Sequence, residues 1–329
     1  MNELVQSVPF AVVLLVIGFV FLVKGADAFV EGCSSIAKRY HVPSLIIGMT
    51  IVAMGTSLPE TAVSITASVT GNNELAVSNA VGSNIFNLMV VVGVCTLFTS
   101  VAVQMTTLKK DFPISVACAV LLLILGTIGM TLGHIDGIIF IVLFALFIIY
   151  MIRSAQTSRS KNEDLNVEEA EYLLEAEEIQ EMSVGKSLLY IILGGIAIAF
   201  GSDWVVDGSC TIAATIGVSQ TFIGLTVVAF GTSLPELVTS VVAAKKGEVD
   251  MALGNVIGSN IFNILMVLGI AGAISPVAFL MDNLIDIIVL LVFSILVWIM
   301  AWTKKELNKK EGLLMLVLYA VYVVYICMR

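Results

Sequence analysis

Charge is scarce in this sequence and is kept away from its long apolar runs. Only 12% of the 329 residues are Asp, Glu, Lys or Arg, roughly half the share found in a soluble domain. Apolar stretches at 8–23, 112–132 and 284–302, the last carrying only Asp286, fill much of the remainder. Each approaches or exceeds the ~18 residues that read as a membrane span. A soluble globular fold is therefore excluded, and an all-α integral membrane protein is expected.

Other scarcities narrow the function. The five cysteines (Cys33, Cys95, Cys118, Cys210, Cys327) show neither paired nor metal-ligand spacing, so free thiols acting as small apolar residues are expected. No basic cluster suited to a nucleic acid occurs, and no nucleophile–base pair or cofactor motif. Neither an enzyme nor a resident cofactor is expected. Glu3 stands where a cleaved signal would carry positive charge, and no small-residue cleavage pattern follows, so the first span should stay in the protein.

Spans are expected near 8–24, 44–70, 74–98, 112–132 and 136–152, then near 187–206, 220–244, 249–273, 284–302 and 312–328. A polar linker, 153–186, separates five from five. Nine acidic residues crowd it between Glu163 and Glu181 and account for the net charge of −9. Their spacing does not match an EF-hand loop, and a solvated helix is expected there. Counting connections alternately, fifteen of the 16 Lys and Arg residues fall on one side and only Arg329 on the other. The positive-inside rule then puts both termini outside the cytoplasm and the linker within it.

The chain is also duplicated. Residues 25–93 align with 201–269 at a constant offset of 176, without a gap, with 31 of the 69 positions identical. The densest matches pair Gly55-Thr-Ser-Leu-Pro-Glu60 with Gly231-Thr-Ser-Leu-Pro-Glu236, and Gly82-Ser-Asn-Ile-Phe-Asn87 with Gly258-Ser-Asn-Ile-Phe-Asn263. An odd number of spans per copy would turn the second copy over. That is the inverted-repeat plan of secondary transporters, with the substrate site at the repeat interface. The expected domains are 1–152, the linker 153–186, and 187–329.

Glu60 and Glu236 fall inside otherwise apolar helices. An ionised side chain at the bilayer centre costs about 2.5–3.5 kcal/mol even on insertion scales. No Lys or Arg lies in the interior of any span, so a bound cation is the simplest partner. Pro59 and Pro235 precede the two glutamates; proline removes a donor and breaks the helix, freeing carbonyls around Ala53–Thr56 and Ala229–Thr232. Carbonyls, hydroxyls and carboxylates form an all-oxygen set suited to Ca²⁺ or Na⁺ rather than zinc or copper. Thr56, Glu60 and Ser64 recur every four residues, as do Thr232, Glu236 and Ser240. Asn79, Ser83 and Asn87, and their copies Asn255, Ser259 and Asn263, form two further stripes on single helix faces. Small residues in these stripes also serve helix packing in membranes, and for any one Ser or Gly both roles remain open.

These repeated elements resemble the two alpha-repeats of the cation/calcium exchanger superfamily, and most closely those of prokaryotic sodium/calcium exchangers. The resemblance covers essentially the whole chain. It implies ten transmembrane helices in two inverted five-helix repeats, with helices broken at the midplane. Glu60 and Glu236 would be the central calcium ligands, helped by the carbonyls of Thr56 and Thr232. Ser57, Ser83, Ser233 and Ser259, with the carbonyls of Ala53 and Ala229, would line flanking sodium sites. Asn87 and Asn263 would flank the middle site; some relatives carry an aspartate where this chain has Asn263. The implied function is antiport of sodium against calcium in the cell inner membrane. The partners would be those two ions and the lipid bilayer, with no nucleic acid and a monomeric chain. Proton/calcium or potassium-dependent exchange is the alternative, and a cation channel the alternative of another class. His41 and His134 lie outside the motifs, so protons would have to use the glutamates.

Overall fold

A backbone removed from water must satisfy its own hydrogen bonds, and long apolar segments do so as helices. The computed structural model describes residues 8–70, 74–163, 182–217 and 229–328, and these are helical almost throughout. The elements are α1 (Val8–Arg39), α2 (Ser44–Thr56), α3 (Leu58–Thr70), α4 (74–98), β1 (Val101–Ala102), α5 (Phe112–Thr127), β2 (Thr131–Leu132) and α6 (His134–Glu163). After the linker come α7 (Val184–Thr215), α8 (Ala229–Thr232), α9 (Leu234–Lys245), α10 (Val249–Ile274), β3 (Val277–Ala278), α11 (Met281–Lys304), β4 (Glu306–Leu307) and α12 (Lys309–Met328). Most of the acidic linker, 164–181, and the start of the span expected at 220–244 lie outside the described residues.

Seven of the described helices are long and apolar enough to cross a membrane, or eight if α2 and α3 count as one bent span. The protein is therefore an all-α membrane protein of multiple spans. Helix α5 has 16 residues of its own, and a π-turn at Thr107–Asp111 runs directly into it, so the helical segment is longer than α5 alone. Among the described residues the strands are two-residue connectors: β1 pairs antiparallel with β4, and β2 with β3.

Three elements clearly outrun their expected bounds. One is α6, which continues to Glu163 where a span at 136–152 is expected. Helices α1 and α7 have 32 residues each, where hydropathy suggests 8–24 and 187–206. Each continues past its apolar stretch because the other lies along it. Small residues at 11, 18, 25 and 32 of α1 face 208, 201, 194 and 187 of α7, so the helices run antiparallel. A Cβ on Gly25 would stand 3.0 Å from the Gly194 carbonyl, and one on Gly208 would stand 2.7 Å from that of Ala11. Small residues at seven-residue spacing let two backbones touch along a continuous seam. Ser183 caps α7 by accepting from the Lys186 N–H, which starts the helix three residues earlier than expected.

Around this pair, α4 and α10 form the centre of the molecule, with 72% and 78% of their most apolar 18 residues buried, against 22% for α1 and 17% for α12. Glycine again sets the spacing. Gly258 of α10 lies against Met49 of α2, where a Cβ would meet the Met49 backbone at 2.6 Å. Thus α2 of the first half packs on α10 of the second, while α8 packs on α4. The half-way point of the sequence is not a boundary in space. In α4 and α10 the helix widens by one residue per turn at Asn87–Val91 and Asn263–Val267, 176 positions apart. Such π-turns occur often at functional sites.

Candidate cation-binding site

The repeated Pro-Glu steps sit where the helices fail. Between α2 and α3 the axis turns by 48° at Ser57, and Ser233 lies at the matching break between α8 and α9. Leu58 and Leu234 restart the helices, and each proline takes an early position where its missing N–H is tolerated. Glu60 and Glu236 follow in the first turns, where the positive end of a helix favours negative charge.

The two breaks exchange partners. Ser57 Oγ donates to Glu236 Oε1 at 2.8 Å, and Ser233 Oγ lies 3.2 Å from Glu60 Oε1. Both bonds run from one half of the chain to the glutamate of the other, so both carboxylates meet at one point between the copies. Ser233 Oγ is also 3.0 Å from Ser83 Oγ, which in turn lies 3.4 Å from Glu60 Oε1. A hydroxyl has one proton, so Ser233 donates either to Glu60 directly or to Ser83, which donates in turn to Glu60.

Both glutamates, Ser57, Ser233, Asn87, Asn263 and Ser259 have no solvent exposure; Thr56 and Ser83 have 1% and 3%. Lys24 and Lys246 pair with Asp27, and Lys246 also with Glu31, in the second half of α1; among the described residues no ion pair is seen at Glu60 or Glu236. Within the same set, Glu60 Oε2, Glu236 Oε2, Asn263 Oδ1 and both side-chain polar atoms of Asn87 have no hydrogen-bond partner. Buried polar groups are normally paired, and buried charges are paired or bind metal. Four acceptor oxygens from four repeat-related residues are left open. Among the described residues, no three of His, Cys, Asp and Glu gather to hold a metal ion. The site is thus two carboxylates among neutral oxygens, a set that suits a hard cation.

The polar stripes reach this point in unequal ways. Asn79 Nδ2 lies 3.3 Å from Ser64 Oγ and 3.4 Å from the Glu60 carbonyl. Its counterpart Asn255 Nδ2 lies 2.9 Å from Ser240 Oγ and 3.5 Å from the Glu236 carbonyl. Thr56 Oγ1 spans the halves to Asn255 Oδ1 at 3.1 Å, with Ser259 Oγ 3.5 Å from the same oxygen. Thr232 lies next to Ser233 at the end of α8, and Ala229 begins that helix. The Ala53 carbonyl accepts the Ser57 N–H at 3.1 Å, so it keeps its helical partner. The carbonyls that lose their donors to proline are those of Gly55 and Gly231, four residues before Pro59 and Pro235.

Sequence reasoning missed Asn84 and Asn260. Each Nδ2 donates to the other's backbone carbonyl, at 3.0 and 3.2 Å, and Asn263 Nδ2 donates to Asn84 Oδ1 at 3.1 Å. A residue paired with its own copy marks a local two-fold axis. The signal was available, since both asparagines stand in the duplicated Gly-Ser-Asn motif.

A family model described as "Sodium/calcium exchanger protein" matches residues 10–153 and 186–328. The chain is 40% identical over 269 residues to the putative antiporter CaxA of Alkalimonas amylolytica, covering 81% of each chain. It is 33% identical over 340 residues to the sodium/calcium exchanger MaX1 of Methanosarcina acetivorans, covering 94% of this chain and 97% of the relative. Inner membrane protein YrbG of Escherichia coli is 34% identical over 296 residues, with 88% and 89% covered. Among solved structures, the sodium-calcium exchanger NCX_Mj soaked with Na⁺ and Sr²⁺ superposes with a TM-score of 0.82 at 30% identity, covering 97% of this chain and 99% of that one.

Proposed function

The chain belongs to the sodium/calcium exchanger family, and from that premise we propose that it is an antiporter exchanging sodium for calcium across the inner membrane by alternating access. The carrying observation is the set of open oxygens on Glu60, Glu236, Asn87 and Asn263, fully buried and without a cationic side chain to offset them. Two carboxylates match the charge of one Ca²⁺, and they supply two oxygens each toward the six to eight that the ion takes. In this reading Ser57, Ser83, Ser233 and Ser259, with the carbonyls of Ala53, Thr56, Ala229 and Thr232, complete calcium and flanking sodium positions. Sodium ions compete for the same carboxylates, so the two cations occupy the site at different times and cross in opposite directions.

The proposed architecture is ten spans in two inverted repeats, 1–152 and 187–329, joined by the acidic linker on the cytoplasmic side, with both termini outside. The antiparallel run of α1 against its copy α7 supports the inversion, because a helix and its repeat then point opposite ways. The same offset of 176 relates α1 to α7 end to end, and Asn87–Val91 to Asn263–Val267. Helix α5 and the broken pair α8–α9 supply the remaining spans. The α1–α7 pair would slide over the other helices to open the site to either face in turn.

Sodium-gradient-driven ⁴⁵Ca²⁺ uptake into inverted vesicles tests the coupling, with a pH gradient and a potassium gradient as parallel arms. Uptake driven by pH alone would replace sodium with protons, and flux that needs no counter-ion would indicate a channel. Exchange of three Na⁺ for one Ca²⁺ would carry one net charge, so the membrane potential would contribute about 2.3 kcal/mol per 100 mV. An uptake rate insensitive to an imposed potential would exclude that ratio.

A further inference from the structure

The two helix breaks are alike in sequence but differ in how their loosened carbonyls are satisfied. Pro59 and Pro235 have no N–H, so the carbonyls of Gly55 and Gly231 lose their donor one turn on. Gly231 recovers one. Ser202 Oγ, from the middle of α7, donates to its carbonyl at 2.9 Å, and Ser202 is only 2% exposed. The matching residue of α1, 176 positions earlier, is Ala26, which is fully buried and has no hydroxyl. At Gly55 the long helix offers an aromatic ring instead, with Phe29 Cζ 2.9 Å from where a Cβ would stand.

We propose that Ser202 is a positioning residue. It ties the α1–α7 pair to the second helix break and so makes the cation site favour one of its two access states. The inference rests on the alternating-access reading given above. Gly231 stands two residues before Ser233, whose hydroxyl contacts Glu60, so the tie acts on the segment that shapes the site. Gly201, beside Ser202, is in contact with the α1 backbone: a Cβ there would lie 2.6 Å from Leu22 N. Any movement of α7 along α8 therefore carries α1 with it and strips the Gly231 carbonyl of its donor. An unpaired carbonyl in a dry interior is unfavourable. Moving α1 past Gly55 breaks no such bond. The bond is thus made in one arrangement of the α1–α7 pair and lost in the other, with no counterpart at Gly55 to balance it, which gives the two membrane faces unequal apparent affinities for Ca²⁺.

The test is sodium-driven Ca²⁺ exchange in proteoliposomes, with half-saturating Ca²⁺ determined separately at each face. The variants are Ser202→Ala and the swap Ala26→Ser/Ser202→Ala, with thermal melting to verify folding. Ser202→Ala should move the ratio of the two half-saturating concentrations toward one by about twofold to thirteenfold, the range for one neutral hydrogen bond, with maximal turnover retained. The swap should carry the ratio further in the same direction. Ser202→Cys, a weak donor of similar shape, should give a smaller shift and serves if Ser202→Ala fails to fold. A wild type that exchanges the ions, with a ratio unmoved by all three variants, overturns the role of Ser202 alone. A wild type that moves no Ca²⁺ against Na⁺ overturns the exchanger reading and this inference with it.

Discussion

Replacing Glu236 by Gln keeps the shape of the side chain and removes one of the two negative charges at the repeat interface. Glu236 Oε1 accepts from Ser57 at 2.8 Å, and Oε2 has no partner among the described residues. In the proposed cation-bound protein that oxygen would face the ion, and removing one member of a buried charge pair costs about 3–5 kcal/mol. At 298 K this weakens Ca²⁺ binding by roughly 150-fold to 5,000-fold. The ion-free protein should respond in the opposite sense. There the carboxylate is fully buried with no cationic side chain to offset it, and a neutral amide removes that desolvation penalty. Glu236→Gln is therefore expected to melt at a higher temperature than wild type in cation-free buffer, and to gain far less on adding Ca²⁺. Calorimetric Ca²⁺ titration and melting with and without the ion read both effects on one sample. A variant that binds Ca²⁺ within tenfold of wild type, or that melts lower without ions, would refute the account of these oxygens as a cation site.

Glu60→Gln should lose a comparable amount, since Ser233 serves Glu60 as Ser57 serves Glu236; a tenfold gap between the two variants would break the two-fold argument. Asn263→Asp places a third carboxylate where Asn263 Oδ1 is open, so Ca²⁺ uptake should become more sensitive to acid than in wild type, as measured across a pH series. Asn84→Ala removes two buried bonds, to the Asn260 carbonyl and from Asn263, whereas Asn260→Ala removes the one to the Asn84 carbonyl. At about 1–3 kcal/mol for each group left unpaired, Asn84→Ala should melt lower than Asn260→Ala. Gly201→Leu should abolish transport and lower the melting temperature, because even a Cβ there meets the Leu22 backbone and overpacking costs about 1–3 kcal/mol or more. Lys246→Gln, which breaks partly exposed contacts of 3.6 and 3.8 Å to Asp27 and Glu31, should change stability by less than about 1 kcal/mol and become neutral at high salt.

The sequence alone determined the membrane class, the duplication and the central pair of acids. Apolar runs report transfer from water to lipid, which is a property of composition. A repeated motif at constant offset needs no coordinates to be seen, and a carboxylate among apolar residues is conspicuous because lipid offers it nothing. Tertiary structure decided what composition does not encode. Hydropathy ends α1 near Lys24, yet the helix runs to Arg39 because α7 lies antiparallel along it and glycines bring the two backbones together. Alternating stripes could place Ser57 and Glu60 on neighbouring turns, but only the folded chain has Ser57 donate a hydrogen bond to Glu236 and brings Ser233 to Glu60. Asn84 and Asn260 look like ordinary small polar residues until each reaches the other's carbonyl. Ser202 carries no sequence signal at all: its partner is a carbonyl released by a proline thirty-three residues away, a pairing that exists only once the helices have packed.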